Sequence, residues 1–125
     1  MTQTIPSGIR LQQLIQNQHA EILDREKDND RFIHLYNIGT YWVAFEWSAC
    51  GLSSIFPKSE ISLFMVPGRS EYVVMASVAS EEVIAYLHKY VIRYDGADYK
   101  VLAIASLPVG YFQKWYSDAV KSVLQ

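Results

Sequence analysis

The sequence predicts an α+β fold, a single mixed, mainly antiparallel sheet of about six strands covered by helices. Three observations carry this expectation. Apolar residues recur at helical spacing at both ends of the chain and again after Ser80. Between those stretches lie short runs that alternate with a period of two and fall in pairs around turn residues. Finally, 125 residues, half of them hydrophobic, suffice for one core, so the span 1–125 reads as a single domain.

The elements follow in order. From Ser7, "SGIRLQQLIQNQHAEILDREKDND" reads as a helix with Leu11, Leu14, Ile15, Ile22 and Leu23 on its apolar stripe. Gln18 and His19 interrupt that stripe, which suggests loose packing or an edge position, and the polar run Asp24 to Asp30 ends the helix. "RFIHLYNIGTYWVAFEW" reads as two strands around a turn at Asn37 to Gly39. In the second strand Tyr41, Val43, Phe45 and Trp47 point one way, and Trp42, Ala44, Glu46 and Ser48 point the other. "SACGLSSIF" suits a short helix, and "EISLFMV" and "EYVVMASV" suit strands joined by the turn Pro67 to Ser70.

The next helix, "SEEVIAYLHKY", has Ser80 in the N-cap position and Glu81 and Glu82 in a first turn where the helix dipole favours negative charge. Val83, Ile84, Leu87 and Val91 are its expected buried stripe. "VIRYDGADYKVLAIASL" reads as a hairpin with Asp95 and Gly96 in its loop. Pro108 is expected to open a last helix, with Val109, Phe112, Tyr116, Val120 and Val123 on one face.

Composition limits the function classes. Eleven basic and 13 acidic side chains give a formal charge of −2, which argues against tight binding of nucleic acid by charge alone. One cysteine, Cys50, allows no intrachain disulfide and fits a reducing compartment. The N-terminal stretch has no apolar run behind a basic start, and no segment approaches a membrane span, so the expectation is a cytoplasmic protein with no membrane contact.

No catalytic, metal or cofactor motif emerges. His19, His34 and His88 lack ligand spacing, and Asp95 and Asp98 are turn residues. Cys50, Ser53 and Ser54 have no nucleophile elbow around them. The reading is therefore a non-enzymatic domain with no cofactor.

The aromatic segment "FIHLYNIGTYWVAFEWSA" resembles the opening motif of the N-terminal, mismatch-recognition domain of the MutS DNA mismatch-repair family. Gly39 falls on the family glycine, Tyr41 and Trp42 on its Phe-Tyr pair, Phe45 on a later Phe and Ala49 on an Ala. A second block, "VMASVASEEVIAYLHKYV", is similar to the family's Met-Ala strand and following helix through Met75, Ala76, Val78, Tyr86 and Leu87. The resemblance spans roughly residues 8 to 106 and implies a MutS N-terminal-like fold with a DNA-facing surface.

In that family the Phe wedges beside a mispaired base and a Glu two positions later hydrogen-bonds it, which is how an apolar ring and a carboxylate read a weak base step. Here Tyr41 holds the wedge position and can still stack, whereas Val43 replaces the Glu and Ser48 replaces the family Asp. No Walker-type phosphate loop occurs in the chain. The candidate nucleic-acid-binding residues are Tyr41, Trp42, Lys58 and Arg69, the last two as phosphate partners in loops.

The implied partners are DNA and a larger DNA-processing protein. Each feature also has a plain structural role: the rings as core filling, Lys58 and Arg69 as solvated surface charges. An alternative function is a protein-interaction or oligomerisation module that has lost DNA contact, with Phe112, Trp115 and Tyr116 as its patch.

Overall fold

Four of the five residues of "YWVAF" are buried, Trp42, Val43, Ala44 and Phe45, and they occupy both sides of a strand. A strand apolar on both sides has to lie inside a sheet with cover on each face. The computed structural model, which describes residues 6–125, has this arrangement. Helix α1 (Ser7–Arg25) leads into strands β1 (Phe32–Asn37) and β2 (Tyr41–Phe45), then helix α2 (Glu46–Ile55). Strands β3 (Glu60–Phe64) and β4 (Val73–Ala79) precede the short helix α3 (Ser80–Tyr86) and a single 3₁₀ turn, Leu87–Lys89. Strands β5 (Val91–Asp95) and β6 (Tyr99–Ala103) and helix α4 (Tyr111–Leu124) complete the chain.

The six strands form one sheet in the order β3-β4-β2-β1-β6-β5, and all five neighbouring pairs are antiparallel. The predicted α+β class with a single six-stranded sheet is what the structure has, and its pairing is antiparallel throughout. Tyr36, Val43, Phe45, Val73 and Met75 face α1 and meet its Leu11, Leu14, Ile15, Ile22 and Leu23. Ile33, Leu35, Trp42, Ala44, Ala76, Val78 and Leu102 pack on the opposite side with Ala49 and Leu52 of α2 and Val83 of α3. Ile22 is the one fully buried residue of α1, in keeping with the loose packing that its interrupted stripe suggests.

β2 pairs with β4 in the register Phe45 to Met75 and Ala44 to Ala76. The two sequence blocks "GTYWVAF" and "VMASVA" are thus adjacent strands. The β1–β2 turn is held from both sides. The Asn37 side chain accepts the Gly39 N–H at 2.7 Å. Ser7 Oγ lies 2.7 Å from Thr40 Oγ1, and the Ser80 hydroxyl donates to the Gly39 carbonyl at 2.8 Å.

Several expectations are corrected. β2 ends at Phe45, so Glu46, Trp47 and Ser48 belong to α2 and do not extend the strand alternation. The cause is a sharp corner: Glu46 takes φ +52, which turns the chain off the sheet. Ser80 lies inside α3, after Ala79 in the N-cap position, because its hydroxyl is used on the Gly39 carbonyl and makes no cap bond. Helix α3 is too short for the expected stripe. Val83 and Leu87 are buried, but Ile84 is 68% exposed and Val91 opens β5. The last helix starts at Tyr111, not Pro108. Pro108 to Gly110 form a turn in which the Pro108 carbonyl accepts the Tyr111 N–H at 3.0 Å, and Val109 is wholly exposed.

Gly39 has φ +104, and a Cβ there would lie 3.3 Å from Ser7 Oγ and 3.4 Å from Arg10 Nη1. Gly68 has φ +84 with open space around it. Gly68→Ala should therefore cost the backbone strain alone, about 1 kcal/mol, and Gly39→Ala about 1–2 kcal/mol with contact added. Urea denaturation of the two variants checks the order; equal losses would contradict close packing of α1 on the turn.

Candidate functional site

Tyr41 opens β2 directly after the turn and is 41% exposed. Arg10 lies against that turn, its Nη2 donating to the Asn37 carbonyl at 3.2 Å. A half-exposed ring and a guanidinium at the same turn are groups suited to stacking on a base and meeting a phosphate. Trp42, the next residue, points to the opposite side of the sheet. It is 3% exposed, part of the core, with Lys100 Nζ 5.1 Å from its ring centre. Its ring has no face free for a base.

A groove of about 460 Å³ runs along the same flank of α1, with Arg10 and Arg25 among its walls and Tyr36 and Tyr99 on the sheet side. The Arg25 guanidinium donates to the Tyr36 hydroxyl at 3.1 Å and lies 5.0 Å from the Tyr99 ring centre and 5.9 Å from that of Tyr36. This holds the guanidinium in a fixed orientation by cation–π contact. Burial pushes the Tyr36 hydroxyl up to about 12, against the pull of Arg25, so it stays protonated. His34 stacks on Tyr99 at 6.0 Å, and its Nδ1 lies 2.7 Å from the Tyr99 hydroxyl. Burial, and then Arg25, lower the His34 pKa, so the ring is neutral near pH 7. Asp98 is the acidic residue of this groove, 3.6 Å from Arg10, and it is well exposed. Such an ion pair adds little and leaves Arg10 free to take another partner.

A second concavity, about 380 Å³, lies where the end of α1, the β2–α2 corner and α4 meet. Glu26 and Glu46 both line it. Glu26 is buried, and its carboxylate accepts the Ser48 N–H at 2.8 Å, the Ser48 hydroxyl at 2.7 Å and the Asn29 side chain at 3.1 Å. Ser48 Oγ in turn accepts the His34 N–H at 2.9 Å, so one buried network ties α1, β1 and α2 together. Glu46 is 7% exposed, and its Oε1 is buried with no hydrogen-bond partner among the described residues. Its left-handed backbone adds strain of about 1–3 kcal/mol for a non-glycine residue. Burial pushes both carboxyls up to about 7. For Glu26 the bonds from Ser48 and Asn29 oppose this; for Glu46 Arg69 and then the Val74 N–H do.

The four sequence-derived site residues are spread over the molecule. Tyr41 lies by the turn and Trp42 in the core. Lys58 lines a separate depression with Glu82 and Tyr90, and Arg69 lines the concavity that holds Glu46. Sequence reasoning missed Arg10, Arg25, Tyr99, Glu26 and Glu46. A signal existed for Arg10 and Arg25, which stand fifteen positions apart on one helix. None existed for Glu46, which reads as the polar side of a strand. No helix among the described residues is long and apolar enough to cross a membrane. Comparison of the chain with family models, with curated proteins and with solved structures found no match.

The raised carboxyls fix the sign of a pH effect. Between about 4.5 and about 7 the folded state holds protons on Glu26 and Glu46 that the unfolded chain has released, so stability falls as pH rises through that window. The size is on the order of 3 kcal/mol for each group. His34, with its lowered pKa, acts in the opposite sense, its contribution being lost as pH falls through and below the ordinary value of 6.5. Denaturation from pH 5 to 8 should show a steeper loss with rising pH in the wild type than in Glu26→Gln. Parallel curves would mean that Glu26 is ionised throughout.

Proposed function

We propose that this domain is a nucleic-acid-binding or accessory module of DNA processing. It would contact the strand along the α1 flank from Tyr41 past Arg10 to Arg25 and Tyr99. The observation that carries the reading is the groove itself. Two arginines stand along one helix, one of them fixed against two tyrosine rings, and a half-exposed Tyr41 sits at the turn that Arg10 touches. Guanidinium groups meet phosphates and rings stack on bases without sequence preference. The net charge of −2 does not oppose a local contact of this kind, though it sets affinity low without help from a partner protein.

The resemblance to the MutS mismatch-recognition domain supports the same reading. Its two sequence blocks are neighbouring strands, and its wedge position, Tyr41, is exposed. The Val43 side chain, in the place of the family Glu, is buried against α1, so any recognition here rests on stacking and phosphate contact without a carboxylate on the base edge. Trp42 has no part in this contact, and Lys58 and Arg69 lie in other concavities and are not part of this surface.

Fluorescence anisotropy with single-stranded, matched and mismatched DNA tests the reading. Binding should be salt-dependent, with a log–log slope that drops by about 0.7–0.9 when Arg25→Ala removes one phosphate contact. Tyr41→Ala should weaken binding by about tenfold, the size of one lost base stack. Absence of binding to every one of these DNAs at micromolar protein would overturn the proposal.

A second reading, oligomerisation, has its own observation. β5 is an edge strand exposed along its whole length, with Val91, Ile92 and Tyr94 all open to solvent. Apolar edges of this kind pair with a second copy of the same strand. Light scattering behind size exclusion should then give a dimer that Ile92→Lys converts to monomer. A monomer at all concentrations removes this reading.

A further inference from the structure

We propose that the concavity between α1, the β2–α2 corner and α4 is a binding site for a small organic cation, an amidinium or amine carried on a flat apolar body. Glu46 would be its ionic partner, and Trp47 and Phe112 its wall. This concavity shares no lining residue with the nucleic-acid surface, which lies on the other flank of α1.

The carboxylate comes first. Glu46 lines the space, is more than nine-tenths buried, and leaves Oε1 without a donor among the described residues. A buried carboxylate oxygen normally has a partner. The residue is also held in a left-handed conformation at a sharp corner, a placement that surrounding structure has to enforce. Glu26, the other buried acid of this space, has its oxygens taken by Ser48 and Asn29, so Glu46 is the one with bonding capacity left.

The wall comes second. Trp47 and Phe112 stack at 4.6 Å between ring centres and 13° between planes, and Tyr116 adjoins Phe112 at 5.9 Å. Aromatic faces attract cations and flat groups alike. The volume, about 380 Å³, suits a ligand of roughly the size of a substituted benzene ring or somewhat larger.

Charge selects the sign of the ligand. Glu26, Glu46 and Glu71 line the space, and the cations there are Lys27 and Arg69. Both cations are exposed, Lys27 in a surface pair with Asp24 at 3.1 Å and Arg69 in the turn before β4, so three acids stand against two solvated cations. Among the described residues no three acidic, histidine or cysteine side chains are grouped to hold a metal ion, which favours an organic cation. Oε1 is itself shielded from solvent, so the ligand N–H has to meet the carboxylate from the side that lines the open space. Arg69, the cation nearest in effect to Glu46, competes for the same charge.

Titration of the full chain with benzamidine, and with its uncharged analogue benzamide, tests the site by calorimetry and by tryptophan fluorescence. Benzamidine should bind and raise the melting temperature, and benzamide should bind at least about tenfold more weakly. Glu46→Gln should remove the preference for the charged analogue, Phe112→Ala should weaken both, and Arg69→Ala should strengthen benzamidine. Because the ionised carboxylate is required, benzamidine affinity in the wild type should rise from about pH 5.5 to about pH 8. The groups that face Glu46 in that titration are Glu26 and Lys27 of the α1 end, Arg69 and Glu71 before β4, and Tyr116 of α4. No benzamidine binding, equal affinity for the two analogues, or a flat pH profile would each overturn the proposal, the last of them even if Glu46→Gln does not fold.

Discussion

The structure depends on β2 being apolar on both sides. Val43 and Phe45 need cover on one face, and Trp42 and Ala44 need it on the other. A single helix cannot supply both, so the chain places α1 against one face and α2, α3 and α4 against the other. The order of elements follows from this need. Helix α1 precedes the strand and returns over it, while α2 leaves from its end and has to cross to the opposite face at once. The left-handed φ of Glu46 is the consequence of that crossing, since a strand entering a helix with no intervening loop residue has no other place to turn.

The same crossing explains the buried polar network. Where α2 starts, its first N–H groups face the interior and have no partners within the helix. Glu26, at the end of α1, reaches the Ser48 N–H from the other layer and provides one. Ser48 then passes the connection to the His34 N–H in β1. A buried carboxyl is costly, and here three donors offset part of its desolvation, burial still holding the group well above the usual carboxylate range. Glu46, two residues earlier, has no such set of donors. Two acids at one helix start therefore differ in kind: the first closes a network between layers and the second is left open.

The fold was readable from the sequence because its strands are short, paired and separated by strong turn residues. Asn37 to Gly39 and Asp95 to Gly96 mark two hairpins, and Ile22 and Leu23 show the inner face of α1 without ambiguity. What was not readable came from tertiary choices that local pattern does not encode. Glu46 and Trp47 continue a period-two alternation, so nothing local says that the strand stops at Phe45. Ser80 has the chemistry of a cap, yet a carbonyl at Gly39, forty-one positions away in the chain, takes its hydroxyl. Ile84 sits one position from the buried Val83, and the early end of α3 leaves it in solvent. The α1 groove was hidden for a similar reason. Arg25 and Tyr99 are seventy-four residues apart, and only the pairing of β1 with β6 brings them together.

The aromatic run "GTYWVAFEWSA" illustrates how one composition serves several ends. Phe45 packs edge-on against Phe64 in the core, and Trp42 is sealed on the other face. Trp47, carried round the corner by α2, stacks on Phe112 and ties down α4, which has no fully buried residue of its own. Tyr41 is the most open of the four, at the mouth of the turn before either layer of helices closes over the strand, and Trp47 is half-buried at the edge of the concavity. The rings are close in sequence because the strand and the corner each need large apolar groups within a few residues. Their different fates follow from the corner. Before it, side chains alternate between two covered faces. After it, helical spacing sends Trp47 toward α4 and Ser48 inward to Glu26. The turn at one end of β2 thus leaves Tyr41 open, and the corner at the other end, held by one residue at positive φ, carries Trp47 off the sheet to α4.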